Sequence, residues 1–329
     1  MDAVDSRRRM LVALAGCALA PRALRAAAAA AFPTRTVRIV VPYSVGIGPD
    51  LVARALAERL AQRWGRPVIV DNKPGASGIV AFSEVRNTLP DGHTLFVGDT
   101  ATLAVNPLIH ASLPYDPARD LAPISLLFRA TFLILVSSKS RYASVADLLA
   151  DARQQPNKVS YASLGNGHPT QMAVETLARA ANVTLLHVPF KEAGALFTAV
   201  ALGDVDFTVF GLNSANGYLK GGKMKALAVA APVRQTEAPE IPTIVEAGGP
   251  AVEMRPWAAL VAVTGTPSAV IATIQQEVVD ALAAPAVRGR IEAAGFEVTP
   301  STPQQLTARI DADVKLYTAL VREGRVRSD

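Results

Sequence analysis

The stretch Val37-Arg-Ile-Val-Val-Pro-Tyr-Ser-Val-Gly-Ile-Gly-Pro-Asp50 constrains the fold more than any other part of the chain. Val37 to Val41 is an almost wholly apolar, β-branched run, the signature of a strand buried on both faces. A loop with Gly46 and Gly48 follows, after which Val52, Ala55, Leu56 and Leu60 recur at helical spacing. A doubly buried strand that feeds an amphipathic helix belongs to a parallel α/β layer. The spacing predicts a helix opening at Asp50, with Asp50 as its cap and Pro49 at its threshold. The loop would leave backbone N–H groups at a helix N-terminus, where an anion is stabilised. From this loop alone, a plain packing turn is an equal alternative. A dinucleotide fingerprint needs a third glycine where Leu51 stands, and no Gly-Lys-Ser/Thr is present, so neither nucleotide loop fits.

The alternation continues along the chain. Strands are predicted near 37–42, 67–71, 94–98, 124–137, 159–163, 184–189, 206–210, 225–230 and 256–263. Helices are predicted near 50–63, 78–88, 144–154, 170–181, 192–202, 213–220, 267–283, 286–294 and 303–321. Thr266-Pro267 and Thr302-Pro303 read as a cap followed by proline at the first helical position, and Gly203 and Gly295 as helix stops. The apolar segment Ile124–Val136 is too long for one ordinary strand and reads as a strand that finishes a first sheet and crosses into a second. The Pro-rich segment 232–256 would carry the return. The expected organisation is a discontinuous first domain, 32–129 plus 251–329, with a second domain inserted as 130–250. Strand-to-helix loops of both would point into the cleft between them.

The N-terminus reads as an export signal over residues 1–31. Ser6-Arg7-Arg8-Arg9-Met10-Leu11 leads into a short apolar run and an alanine-rich stretch ending at Ala31. The run is too short to span a membrane. The paired arginines resemble a twin-arginine signal, with general secretion as the alternative. Leu14-Ala15-Gly16-Cys17 resembles a lipobox and offers a lipid anchor at Cys17. Cleavage after Ala31 is favoured, because the apolar run continues past Cys17. Removing 1–31 takes away five Arg and two Asp, leaving 28 basic and 26 acidic residues. The basic balance is therefore largely a property of the signal and no sign of a nucleic-acid partner. No cofactor is indicated. The four His show no metal spacing, and the single Cys permits no disulfide within the chain. Ser44, Ser77 and Ser163 lack a nucleophile-elbow context, so no catalytic residue is assigned. His168 is expected to cap a helix or meet solvent in preference to facing the cleft.

An ordered series of phrases resembles the substrate receptors of tripartite tricarboxylate transporters, the Bug-type periplasmic solute-binding proteins. The phrases are Arg38-Ile-Val-Val-Pro-Tyr43, Asn72-Lys-Pro-Gly-Ala-Ser-Gly78, Leu89-Pro-Asp-Gly-His-Thr-Leu-Phe-Val-Gly98, Leu113-Pro-Tyr-Asp-Pro117, Gly165-Asn-Gly167, His187-Val-Pro-Phe-Lys191 and Pro242-Thr-Ile-Val-Glu-Ala-Gly248. The resemblance implies a two-lobed Venus-flytrap binding protein of type II. It implies a receptor that captures a small organic anion and hands it to integral-membrane transporter subunits; a monomer is expected, and the alternatives are a periplasmic ligand sensor for a signalling partner or, less favoured, an α/β enzyme acting on a carboxylated substrate. Carried over residue by residue, Tyr43, Ser44, Val45, Gly46, Ile47, Gly48 and Asp50 would hold one carboxylate. Ser77 and Gly78 would add a second contact, Thr100 and Thr102 follow the third strand, and Ser163, Asn166, Gly167, Phe190 and Phe210 come from the inserted lobe. Asp99 stands where the family commonly has a hydroxyl residue. It would repel a second ligand carboxylate or pair with a ligand nitrogen. The ligand expected is a monocarboxylate with a nitrogen or hydroxyl donor.

Overall fold

A computed structural model describes residues 32–327 except Ile47 and Glu237. Residues 1–31, where the export signal and Cys17 are expected, and Ile47 lie outside the described residues.

Eleven strands are described: β1 (Val37–Val41), β2 (Val68–Asn72), β3 (Thr94–Asp99), β4 (Leu121–Ala130), β5 (Phe132–Ser137), β6 (Ser160–Ser163), β7 (Leu186–Pro189), β8 (Phe207–Gly211), β9 (Met224–Val229), β10 (Trp257–Val263) and β11 (Phe296–Val298). They form two sheets, ordered β11-β4-β10-β3-β1-β2 and β7-β6-β8-β5-β9. In the first, β1 lies parallel to β2 and β3, whereas β10 runs antiparallel to β3 and β4. In the second, β6 is parallel to β7 and β8, and β5 is antiparallel to β8 and β9. We call the layers built on these sheets the first and second lobes.

Each sheet is covered on both faces. Val37, Ile39 and Val41 point to one side of the first sheet, packing with Val52, Leu56 and Leu60 of the helix Gly48–Trp64 and with Ile274 and Val278 of the helix Ser268–Ala283. Val40 points to the other side, among Phe82, Phe96, Trp257 and Leu306. That two-sided burial is why β1 is apolar throughout except for Arg38, which pairs with Asp71 and Glu84. A further cluster joins the lobes: Val105 and Ile109 of the first meet Met172 of the second and Tyr317 and Leu320 of the C-terminal helix Pro303–Arg322.

The chain passes between the sheets at Thr131, so the expected crossing strand is two strands, β4 and β5, broken at one residue. The two passages are tied side by side, with Ala130 N–H donating to the Pro256 carbonyl at 2.7 Å. Glu253 binds them further through Arg129, Arg255 and Arg309, at 3.9, 3.6 and 3.5 Å. Thr302 caps its helix in a full capping box with Gln305, ahead of Pro303. The parallel reading fails at Thr266, whose hydroxyl donates to the Val263 carbonyl, and Pro267 itself is the cap. Sequence patterning missed β11, the π-helical turn Ala101–Val105 and the short helices Asn106–Ile109 and Pro117–Asp120. Each is too short to show a period.

Candidate functional site

The loop after β1 does not end as the sequence suggests. Its helix starts at Gly48, two residues early, which places Asp50 inside the first turn. The Asp50 carboxylate is fully buried. It accepts from Gly46 N–H at 2.8 Å, from Asn72 Nδ2 at 2.8 Å and from Arg54 Nε at 3.0 Å. Burial pushes its pKa up, but Arg54, Gly46 N–H and Asn72 together outweigh that and hold it below the usual carboxylate range. The loop thus contains its own anion. Ser44, Val45 and Gly46 are exposed and line neither cavity described below. Tyr43 and Gly48 alone of the described loop candidates reach the cleft.

Two adjoining cavities lie between the lobes. The larger, of about 220 Å³, is a mainly aromatic chamber walled by Tyr43, Phe128 and Trp257 of the first lobe and by Phe132 and Phe210 of the second, with Phe296 of β11 at its edge. The smaller, of about 150 Å³, is walled by Gly75, Ala76, Gly78, Thr102, Asn166 and Gly167. Tyr43, Leu164 and His168 line both. Residues with little or no side chain make much of the second wall, so the ligand there would meet backbone. Ala76 has φ 45°, between Gly75 at 134° and Gly78 at 89°. A non-glycine residue in that region is strained, and such strain collects at binding loops. The space also requires the glycine at 78, since a Cβ there would stand 2.4 Å from Thr102 Cγ2.

Asp99 lines the aromatic chamber, yet its oxygens are occupied. Oδ1 accepts from Thr102 N–H and from Thr102 Oγ1, both at 2.8 Å, and Oδ2 accepts from the Tyr43 hydroxyl. Thr102 Oγ1 in turn accepts from Asp99 N–H at 2.8 Å. This reciprocal pair fixes the turn into 101–105. Burial and the neighbouring Asp99 hold the Tyr43 phenol far above its usual pKa, so it stays a donor. Thr100 is buried away from both cavities, its hydroxyl accepting from Trp257 N–H at 3.2 Å.

In the second lobe the candidates divide. Asn166 and Gly167 reach the small cavity. Ser163 does not: it is fully buried, 2.6 Å from His187 Nε2, and accepts from Gly165 N–H at 3.1 Å. It fastens the loop Leu164–Gly167, as Gln171 does by accepting from Gly167 N–H at 2.7 Å. Burial without access gives this Ser–His contact the character of a brace rather than of a nucleophile. Phe190 packs into its own lobe's apolar cluster and lines neither cavity. Ser77 lies in the 3₁₀ turn Ala76–Gly78. His168 caps the helix Pro169–Ala180, its Nδ1 accepting from Thr170 N–H at 3.2 Å, and it also faces both cavities. Burial lowers its pKa to about 4, so it is neutral at pH 7.

Most of the aromatic wall escaped sequence reasoning. Phe128 and Phe132 flank the crossing at Thr131, and a segment passing between two lobes must form the floor of their cleft. That signal was present in the long apolar run. Trp257 sits at the corresponding point of the return, but Phe296 has no local signal, because β11 is only three residues long. The lobes touch across the mouth, where Asn213 Nδ2 donates to the Ala293 carbonyl at 2.9 Å and Asn166 Nδ2 to the Arg327 carbonyl at 3.0 Å.

Comparison with known proteins agrees with this architecture. A UPF0065 protein from the tcbD-tcbE intergenic region of Pseudomonas sp. strain P51 is 32% identical over 324 residues, 98% of this chain and 96% of that protein. The structure of R. palustris Rpa4515 with adipate superposes with a TM-score of 0.79 at 29% identity, covering 91% of this chain and all of that one. MatC from Rhodopseudomonas palustris with bound malate gives a TM-score of 0.74 at 30% identity, over 88% of this chain and all of that one. Residues 52–325 match the description "Tripartite tricarboxylate transporter family receptor". With the two-lobed α/β fold and the cleft between its sheets, these likenesses establish that the chain belongs to the tripartite tricarboxylate transporter receptor family.

Proposed function

We propose that the protein is a monomeric extracytoplasmic receptor that captures a small organic carboxylate and delivers it to the membrane subunits of a tripartite transporter. The observation that carries this reading is the pair of adjoining cavities walled by both lobes, one with a backbone-rich wall and one aromatic. Solved relatives at similar coverage hold adipate and malate, both small carboxylates. Segments 32–129 plus 251–329 and 130–250 would act as two bodies that rotate about the paired passages at Thr131 and Pro256 and close over the ligand. Export would use the signal of residues 1–31, with release after Ala31. Receptors bind and release without altering their ligand, and the buried Ser163–His187 contact offers no accessible nucleophile. Mass spectrometry of the protein purified from its native host tests the reading. An organic acid should be released on denaturation and should stay unchanged during long incubation with the folded protein. A co-purifying compound without an acid group, or conversion of the acid, would overturn it.

A further inference from the structure

We propose that the preferred ligand is a monocarboxylate with a flat, apolar body such as an aryl ring, its carboxylate in the small cavity and its ring in the aromatic chamber, and that compounds with a second carboxylate are rejected. This deepens the receptor reading and rests on it.

The first support is charge. Among the described residues lining the two cavities there is no Lys or Arg. The titratable groups there are Tyr43, Asp99 and His168. A ligand anion must therefore be met by neutral donors. Small residues make the wall at the turn Gly75–Gly78 and at the facing Asn166 and Gly167; Gly78 N–H already donates to the Gly75 carbonyl at 3.0 Å and Gly167 N–H to Gln171 at 2.7 Å, which leaves the amides of Ala76 and Ser77 to meet an anion. Successive backbone amides turned inward by left-handed residues form a concavity suited to an anion. Gly75, Ala76 and Gly78 all have φ in that range, and the turn leads directly into the helix Ile79–Arg86.

The second support is the shape and chemistry of the other end. Tyr43, Phe128, Phe132, Phe210, Trp257 and Phe296 surround the larger cavity. Phe128 and Phe296 meet at 4.5 Å between ring centres, and Phe132 and Phe210 at 6.5 Å, one pair from each lobe. A dry cavity of about 150 Å³ lined by apolar side chains takes a benzene molecule. The chamber of about 220 Å³ has room for a ring and a small substituent. Ring-against-ring contacts stabilise an aryl ligand beyond the area they bury.

The third support is Asp99. Its carboxylate borders the chamber, held there by Tyr43 and Thr102. A second ligand carboxylate entering the chamber would lose its water, meet ring faces with negative quadrupoles, and approach a like charge with no cation to offset it.

Titration calorimetry on the folded, signal-free protein tests this with benzoate, phenylacetate, benzamide, benzene-1,3-dicarboxylate, adipate and malate as probes. Benzoate or phenylacetate should bind at least about 100-fold more tightly than the benzene dicarboxylate, the size expected for one uncompensated charge in a partly desolvated site. Benzamide, which lacks the charge, should bind more weakly than benzoate. Asp99→Asn should narrow the gap between mono- and dicarboxylate. Phe296→Leu, which keeps an apolar side chain at the edge, should weaken benzoate by about tenfold and leave adipate unaffected. Adipate or malate binding more tightly than the aryl monocarboxylates would overturn the ligand class while leaving the receptor reading intact. Binding of benzamide equal to benzoate would overturn the assigned carboxylate position. Failure of every acid to bind would remove the receptor reading and this proposal with it.

Discussion

The loops Tyr43–Asp50 and Gly75–Gly78 sit side by side at the cleft edge of the first lobe, and both lead from a strand to a helix with glycines between. In sequence the first has the stronger claim to an anion. In the folded protein Gly46 N–H is committed to Asp50, and Ser44, Val45 and Gly46 face solvent. The second loop carries no acidic residue. Its Gly78 N–H closes the turn on the Gly75 carbonyl at 3.0 Å, and Gly75, Ala76 and Gly78 line a cavity that reaches across to Asn166 and Gly167 of the other lobe. A helix start that favours an anion has less left to offer a ligand once a carboxylate of the chain itself has taken its N–H.

The largest effect that sharpens this contrast is steric. Gly78 and Gly46 both have φ near the left-handed region, at 89° and 85°. A Cβ on Gly78 would stand 2.4 Å from Thr102 Cγ2, whereas one on Gly46 meets nothing within 4 Å. Gly78→Ala should cost about 3 kcal/mol, from backbone strain plus overpacking, and Gly46→Ala about 1 kcal/mol from strain alone. Urea unfolding of the two variants gives the comparison, and equal losses would mean the second loop is no more tightly built than the first.

Next in size is Asp50. Asp50→Ala removes one of the two acceptors of Asn72 Nδ2, which keeps the Tyr43 carbonyl, and frees Gly46 N–H and Arg54 Nε, at a cost of about 2 kcal/mol. Affinity for benzoate should not change, because that anion sits elsewhere. Since the folded pKa of Asp50 lies below its unfolded value, its contribution is full above about pH 4 and is lost as pH falls through the folded value. The acid side of the stability profile should therefore be steeper for the unmodified protein than for Asp50→Asn. A parallel pair of profiles would contradict the role of Asp50 as the loop's own anion.

The smallest effect concerns the mouth. Asn213→Ala removes the bond to the Ala293 carbonyl, about 1 kcal/mol, and should raise the ligand release rate by up to about fivefold with little loss of stability. Stopped-flow release of benzoate reads it. An unchanged rate would show that this contact does not hold the lobes together.

Much of the fold was legible because long, strongly periodic segments announce it. β1 and the helix behind it, the cap at Thr302 ahead of Pro303 and the crossing near Thr131 all follow from local pattern. The site was legible only in part. Tyr43, Gly48, Gly78, Asp99, Thr102, Asn166, Gly167 and Phe210 reach the cavities, whereas Thr100, Ser163 and Phe190 brace the loops and strands around them. Sequence order gives the loop a residue belongs to, but not whether its side chain points into the cleft or back into its own lobe. Phe296 makes the same point from the other side. It comes to the cleft through β11, a three-residue strand at the edge of the first sheet, near in space to Gly48 and far from it in sequence.

A crystal structure of the protein soaked or grown with benzoate tests most directly which loop receives the ligand. The carboxylate should lie within hydrogen-bond distance of the backbone N–H groups of residues 76 and 77, facing Asn166 and Gly167, with the ring between Phe210 and Phe296. A carboxylate bound instead at Gly46, with Asp50 displaced from it, would contradict the division of roles between the two loops.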